Sequence, residues 1–250
     1  MSQQKSLRET VAEKGISVAV MQPYFFPYLG YFQLVRAADR FILYDDAQFI
    51  KNGWVNRNRI QNSGRILYIT VPVTSAGHRN RICEKTISSQ QWKKNSVKLL
   101  KSLELAYSKA PYFSKVRDLF AESISGEPEL IQEILDKSFT LTCNYMGITT
   151  PAAKSSSLST GSTLSGTEKL IDICRQLKAD RYINAIGGRH LYQSETFSQA
   201  GIDLKFIKTE RYSYAQGKGE FIPDLSILDV LMYNSPSEVS ELLDSYALVD

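Results

Sequence analysis

The sequence predicts an α/β fold, a doubly wound and mostly parallel sheet carrying a helical insertion, on three observations. Residues 16–46 read strand, loop, helix, strand, a βαβ unit whose strands pair in parallel through a right-handed crossover. Strand–helix alternation returns near the other end, where a helix over Glu168–Leu177 precedes strands at Arg181–Ile186 and Leu204–Ile207. Between them, residues 88–148 carry the helical period and turn signals.

Each element follows from local chemistry. Ile16–Met21 is an unbroken, β-branched apolar run, as in a strand buried on both faces. Pro23 and Pro27 then force a non-helical, aromatic loop. After Gly30, the spacing of Phe32, Leu34, Val35 and Ala38 is helical, and Phe41–Tyr44 is a second strand ending at Asp45-Asp46. Ile66–Val73 reads as a third strand, closed by Pro72. The helix over 88–107, begun by Ser88 or Ser89, carries Trp92, Val97, Leu99, Leu100 and Leu103, and Pro111 ends that segment. Two amphipathic helices cover 112–124 and 127–146, with Pro128 near a helix start, where a missing N–H costs nothing. Ser155–Thr167 is a Ser/Thr/Gly loop leading to Thr167 as N-cap of the next helix, and Ser226–Tyr233 is a short helix. Residues 1–15 read as a mobile arm and 16–250 as a single domain.

Composition narrows the function. A hydrophobic fraction of 43% and a charged fraction of 22% are ordinary for a globular chain. The net charge of +4 is mild, and the basic residues are dispersed rather than striped, which makes nucleic acid an unlikely partner. Cys83, Cys143 and Cys174 are odd in number and widely spaced, so neither a disulfide framework nor a metal site is indicated, and a reducing cytoplasm is the expected setting. The polar N-terminus lacks the apolar stretch of a signal peptide, and no run approaches the ~20 apolar residues of a membrane span.

In a doubly wound sheet ligands bind beyond the carboxyl ends of the strands, here the loops at 22–30, 45–58 and 187–193. The first, Gln22-Pro-Tyr24-Phe-Phe-Pro-Tyr28-Leu-Gly30-Tyr31, opens a helix at Gly30 and offers its free N–H groups to an anion. Its placement resembles the nucleotide-binding turn of HIGH-type nucleotidylyltransferases, a HUP-like start, but tyrosines stand where those enzymes carry histidines. The bland alternative is an apolar loop packed beneath the sheet. The second loop joins Asp45, Asp46 and Gln48 to Trp54, Asn56, Arg57, Asn58 and Arg59. Paired aspartates bind Mg²⁺ or sugar hydroxyls, or act as a base. The Asn-Arg-Asn-Arg alternation puts two asparagines on one face of an extended segment and two arginines on the other. Arginine supplies a fork for phosphate; a plain solvated strand is the alternative.

These residues also carry a resemblance. The run MQPYFFPYLGYF…AADRFILYDDAQFIKNGWVNRNRI resembles the N-terminal signature of the WbqC-like family, and the similarity continues through Thr70-Val-Pro72, Trp92-Lys-Lys94, Ala106-Tyr107, Leu170-Ile-Asp-Ile-Cys174, Gly201-Ile202, Tyr212-x-Tyr214-x-Gln216, Phe221 and Ser226-x-x-Asp229. The resemblance implies a protein of O-antigen and capsule clusters. It implies transfer of glycine or another acyl or aminoacyl group to a nucleotide-linked amino sugar. The donor would be acyl-CoA or an acyl carrier protein, with no tightly bound cofactor, and a homodimer is among the assemblies left open. One departure stands out: the family pattern places a histidine where this chain has Asn95.

That leaves two histidines. His78 lies in a polar loop; His190 follows a strand and Gly187-Gly188, with Arg189 and Tyr192 beside it. Amide formation needs a base for the attacking nitrogen, so the expected catalytic groups are His190, Asp45 and Asp46. Gln22, Tyr24, Tyr28, Tyr31, Gln48, Trp54, Asn56, Arg57, Asn58, Arg59, Tyr192, Tyr212, Tyr214 and Gln216 are expected to bind substrate, with Gln22, Asp45, Asp46, Gln48, Asn56, Arg57 and Asn58 lining one pocket. A lone loop histidine is also a common surface residue. Cys174 shares a helix face with Leu170, Ile171 and Leu177 and reads as core, which disfavours a covalent thioester. An ATP-dependent nucleotidylyl or adenylating enzyme and a non-catalytic glycan- or nucleic-acid-binding module remain as alternatives, separated by pyrophosphate release and by binding without turnover.

Overall fold

A computed structural model describes residues 15–74, 80–160, 164, 166–217 and 219–250. The expected N-terminal arm, His78 and part of the Ser155–Thr167 loop lie outside the described residues.

The βαβ unit forms as the prolines and apolar runs require. Strand β1 (Ile16–Met21) leads through the aromatic loop to α1 (Leu29–Ala37) and β2 (Arg40–Leu43), and β1 pairs in parallel with β2, Val18 opposite Arg40. The chain then leaves the sheet for a hairpin, β3 (Arg57–Asn62) and β4 (Arg65–Thr70), and the helices α2 (Ser89–Tyr107), α3 (Phe113–Ser123) and α4 (Ile131–Tyr145). It rejoins at β5 (Ala152–Lys154), followed by α5 (Gly166–Gln176), β6 (Ala179–Ala185), α6 (Ser194–Gln199), β7 (Asp203–Thr209), α7 (Ile227–Tyr233), α8 (Pro236–Asp244) and β8 (Tyr246–Val249). The sheet order is β5-β2-β1-β6-β7-β8, with only β8 antiparallel. Chain order therefore reverses between β1 and β6, the kind of switch point outside which open α/β sheets bind ligands.

Alternation along the strands divides two apolar layers. Ala19, Phe41, Leu43, Ile183 and Ile207 face α1, the helical insertion, α7 and α8. Val18, Val20, Ile42, Tyr182, Leu204 and Phe206 face α5 and α6, where Cys174 is fully buried. Two expectations are corrected. The segment read as a third strand over Ile66–Val73 ends at Thr70, before Pro72, and pairs antiparallel with β3 in a separate hairpin. Helix α5 begins at Gly166, so Thr167 sits within its first turn rather than capping it.

Candidate functional site: an aromatic cavity at the carboxyl edge

The loop after β1 is held in a conformation its sequence would not choose. Phe26 has φ +46°, a region that costs a bulky residue on the order of 1–3 kcal/mol. Three hydrogen bonds from two side chains restrain the turn. The Asn58 amide donates to the carbonyls of Phe26 at 2.7 Å and Phe25 at 3.1 Å, and the Ser226 hydroxyl donates to Phe26 O at 2.8 Å. Backbone bonds from Phe25 N to Trp54 O and from Ile227 N to Pro27 O complete the strap. Phe25 and Phe26 themselves are buried against Phe120 of α3. Gly30 has a packing reason, since a Cβ there would lie 2.8 Å from the Tyr28 ring.

The strap leaves Tyr24 and Tyr28 as walls of a cavity of about 290 Å³, completed by Trp54, Asn58, Arg59 and Asp224. The Arg59 guanidinium lies over the Trp54 ring at 5.4 Å and donates one N–H to Asp224 O at 2.9 Å. Arg57 lies over Tyr68 at 5.0 Å and donates to Asn52 O. The Nε atoms of both arginines are buried without a protein partner. Burial, Tyr24 and Asp224 push the Tyr28 phenol up to about 12, and burial with Asp224 does the same to Tyr212. Both therefore stay protonated near neutrality and remain donors. Asp224, which lines the cavity, and Asn52, the acceptor for Arg57, also have positive φ, +55° and +65°.

The alternation of β3 is as expected, but its two faces divide the work differently. Asn56 and Asn58 are buried and spend their amides on backbone, Asn56 on Val71 O at 2.8 Å, because buried polar groups must be satisfied. They position the site, and only Asn58 reaches the cavity. Replacing Asn58 by alanine is expected to cost about 2–3 kcal/mol of stability, since it takes their side-chain partner from the Phe25 carbonyl and the Arg59 N–H and leaves Ser226 alone to hold Phe26 O. A denaturation midpoint shifted by less than the equivalent of ~0.5 kcal/mol would show that the strap is incidental.

The expected single pocket is thus two neighbourhoods. Asp45 is fully buried and accepts from Ser156 N at 2.9 Å, Ser156 Oγ at 2.6 Å and Ser155 Oγ at 3.1 Å, which fastens the end of β2 to the turn after β5. Asp46 accepts from Ser155 and pairs with Lys169, whose ammonium lies 5.0 Å over Tyr44. Burial raises the Asp46 pKa, but the bonds from Lys169 and Ser155 outweigh it and hold the carboxyl below its ordinary value. Neither aspartate lines the aromatic cavity, and Asp45 has no exposed surface for substrate.

Other expected residues are placed as follows. Tyr31 is 1% exposed and donates to Gln22 O at 3.1 Å; it is core, not a ligand contact. Gln48 is exposed and bridges Arg81 through its backbone. His190 is exposed on a 3-10 turn over Ile186–Leu191 and does not line the cavity. Tyr192 packs edge-on against Tyr182 and Phe197. Tyr212 and Tyr214 stack with rings 6.3 Å apart, and Phe221 meets both edge-on. Tyr214 and Gln216 turn inward to the buried Asp229, which also accepts from Tyr107. Burial pushes the Cys143 and Cys174 thiols up to about 12, so neither is a ready thiolate.

Asp224 was missed. It follows Pro223 in a turn leading to the α7 cap, and only folding brings it to Arg59, 165 residues earlier. Among the described residues no group of three or more His, Cys, Asp or Glu side chains could hold a metal ion, and no helix is long and apolar enough to cross a membrane.

Residues 22–241 match the WbqC-like protein family. The chain is also similar to the uncharacterized protein Rv1507c of Mycobacterium tuberculosis, with 33% identity over 231 residues, 90% of this chain and 96% of that protein. No solved structure matches.

Proposed function

From its membership of the WbqC-like family, we propose that the protein is a transferase forming an amide on a nucleotide-linked amino sugar in surface-polysaccharide synthesis. The observation that carries this reading is the convergence of Arg59 and Asp224 with Tyr24, Tyr28 and Trp54 on one cavity. Tyrosine and tryptophan faces suit a sugar or base ring. Arg59, with Arg57 on the same face of β3, suits a diphosphate. The Asp224 carboxylate suits an amine, first as counter-ion and then as base.

The step balances without a bound cofactor. The amine nitrogen attacks the carbonyl of an acyl or aminoacyl thioester on coenzyme A or a carrier protein. The C–N bond forms, the C–S bond breaks, the thiol leaves, and the proton lost by nitrogen goes to Asp224 and then to solvent or the thiolate.

Incubation with nucleoside-diphosphate amino sugars and acyl thioesters should give a product heavier by the acyl group, with release of free thiol. Pyrophosphate released from ATP without acylated product would overturn the reading in favour of nucleotidylyl transfer. Arg59→Ala should raise KM for the nucleotide sugar by on the order of tenfold to a hundredfold, the loss expected for a charged hydrogen bond, with a smaller change in kcat. An unchanged KM would remove Arg59 from the phosphate role.

A further inference from the structure

Helix α2 has an outer face that the fold does not use. Trp92, Leu99, Leu103 and Tyr107 bury one side of it. On the opposite side Lys94, Val97, Lys98, Lys101, Ser102 and Leu105 line a shallow groove. Their spacing of three and four residues makes one continuous stripe, ~16 Å long at the helical rise. Val97 and Leu105 are 54% and 70% exposed. Among the described residues Lys94, Lys98 and Lys101 have no acidic partner, because the nearby acids are engaged elsewhere, Glu104 with Arg117 and Glu127 with Lys93. Like charges spaced three and four apart destabilise a helix by ~0.2–0.5 kcal/mol per pair, so the isolated chain gains nothing from this arrangement.

We propose that the outer stripe of α2 docks an acidic helix of a carrier protein that presents the acyl group as a thioester. The proposal deepens the transfer reading by choosing between its two donors. Carboxylates on the partner would meet the three lysines, and its apolar residues would cover Val97 and Leu105, the usual arrangement of a helix laid along a groove. A lipid surface fits less well. The broad apolar side of α2 is already buried in the core, leaving two aliphatic side chains to insert. The inner side of the same helix packs against β3, the strand bearing Arg57 and Arg59.

The test uses the full-length protein and a purified, fluorescently labelled holo acyl carrier protein, followed by anisotropy. The wild type should bind, with affinity falling as salt is raised. The combined variant Lys94→Glu, Lys98→Glu, Lys101→Glu should bind about tenfold or more weakly. A second variant, Val97→Ser with Leu105→Ser, keeps the charge and should also weaken binding. Equal binding by all three proteins, or none by the wild type, overturns the proposal. Lysine-dependent binding to phosphatidylglycerol vesicles without binding to the carrier protein overturns it as well, assigning the stripe to lipid. Turnover separates this failure from that of the transfer reading. If acyl transfer occurs, the charge-reversed variant should lose it from the carrier-linked donor and keep it from acyl-CoA. If binding responds as expected but no thioester supports transfer, docking stands and the transfer reading falls.

Discussion

Asp224→Asn is expected to lower kcat for amide formation by ~10²–10⁴-fold, the usual cost of losing a general base. The substitution isolates the proton-accepting role. Asparagine keeps the shape and, like aspartate, tolerates the left-handed backbone that position 224 adopts with φ +55°. The bond from Arg59 to Asp224 uses the main-chain carbonyl, so it survives. The unfolding midpoint should therefore stay near that of the wild type while turnover collapses, and nucleotide-sugar affinity should fall only by what the counter-ion contributes. His190→Ala provides the contrast: His190 is exposed and does not line the cavity, so its loss should leave kcat within about twofold. The opposite pattern, an active Asp224→Asn and an inactive His190→Ala, would return the base to the loop after β6.

How much of this was legible in the sequence depends on the range of the signal. β1, α1, β2 and their parallel pairing were readable because β-branched runs, two prolines and a helical period lie within residues 16–46. The insertion helices were readable from the same short-range periods. Periodicity does not say which strand a strand will meet, and β4 pairs with β3 outside the main sheet. β5 escaped notice because it has three residues and a mostly exposed pattern. The site was half legible. The Asn-Arg alternation divides its faces as read, but alternation alone does not say which polar groups are buried; those must find backbone partners, and Asn56 and Asn58 do. The aspartate pair was chemically conspicuous, yet Asp45 closes a turn. Asp224 carried only a weak turn signal, Pro223-Asp224 before the Ser226 cap, and nothing local tied it to Arg59.

Asp229→Ala is expected to cost roughly 3–5 kcal/mol, the largest stability loss among the polar positions considered. Asp229 is fully buried and accepts hydrogen bonds of 2.7 Å from Tyr107 OH, Tyr214 OH and Gln216 Nε2. It thereby ties the insertion helix α2 and the 212–224 loop to the first turn of α7. Removing it strands three buried donors, each worth about 1–3 kcal/mol unpaired, with some relief by relaxation. Tyr107→Phe, which removes one donor and leaves the carboxylate two, should cost only about 1 kcal/mol. Burial raises the Asp229 pKa above the ordinary 3.8, although the three donors oppose it. The folded chain therefore holds a proton that the unfolded chain has released over that interval, and stability declines as pH rises from about 3.8 through the folded pKa. Asp229→Asn cannot ionise, so its stability curve should lose this descent while paying for one mismatched donor. Chemical denaturation across acidic pH measures both effects. Parallel curves for wild type and Asp229→Asn would mean that the carboxyl titrates alike in the folded and unfolded chains, and an Asp229→Ala loss below ~1 kcal/mol would mean that the three donors find other partners.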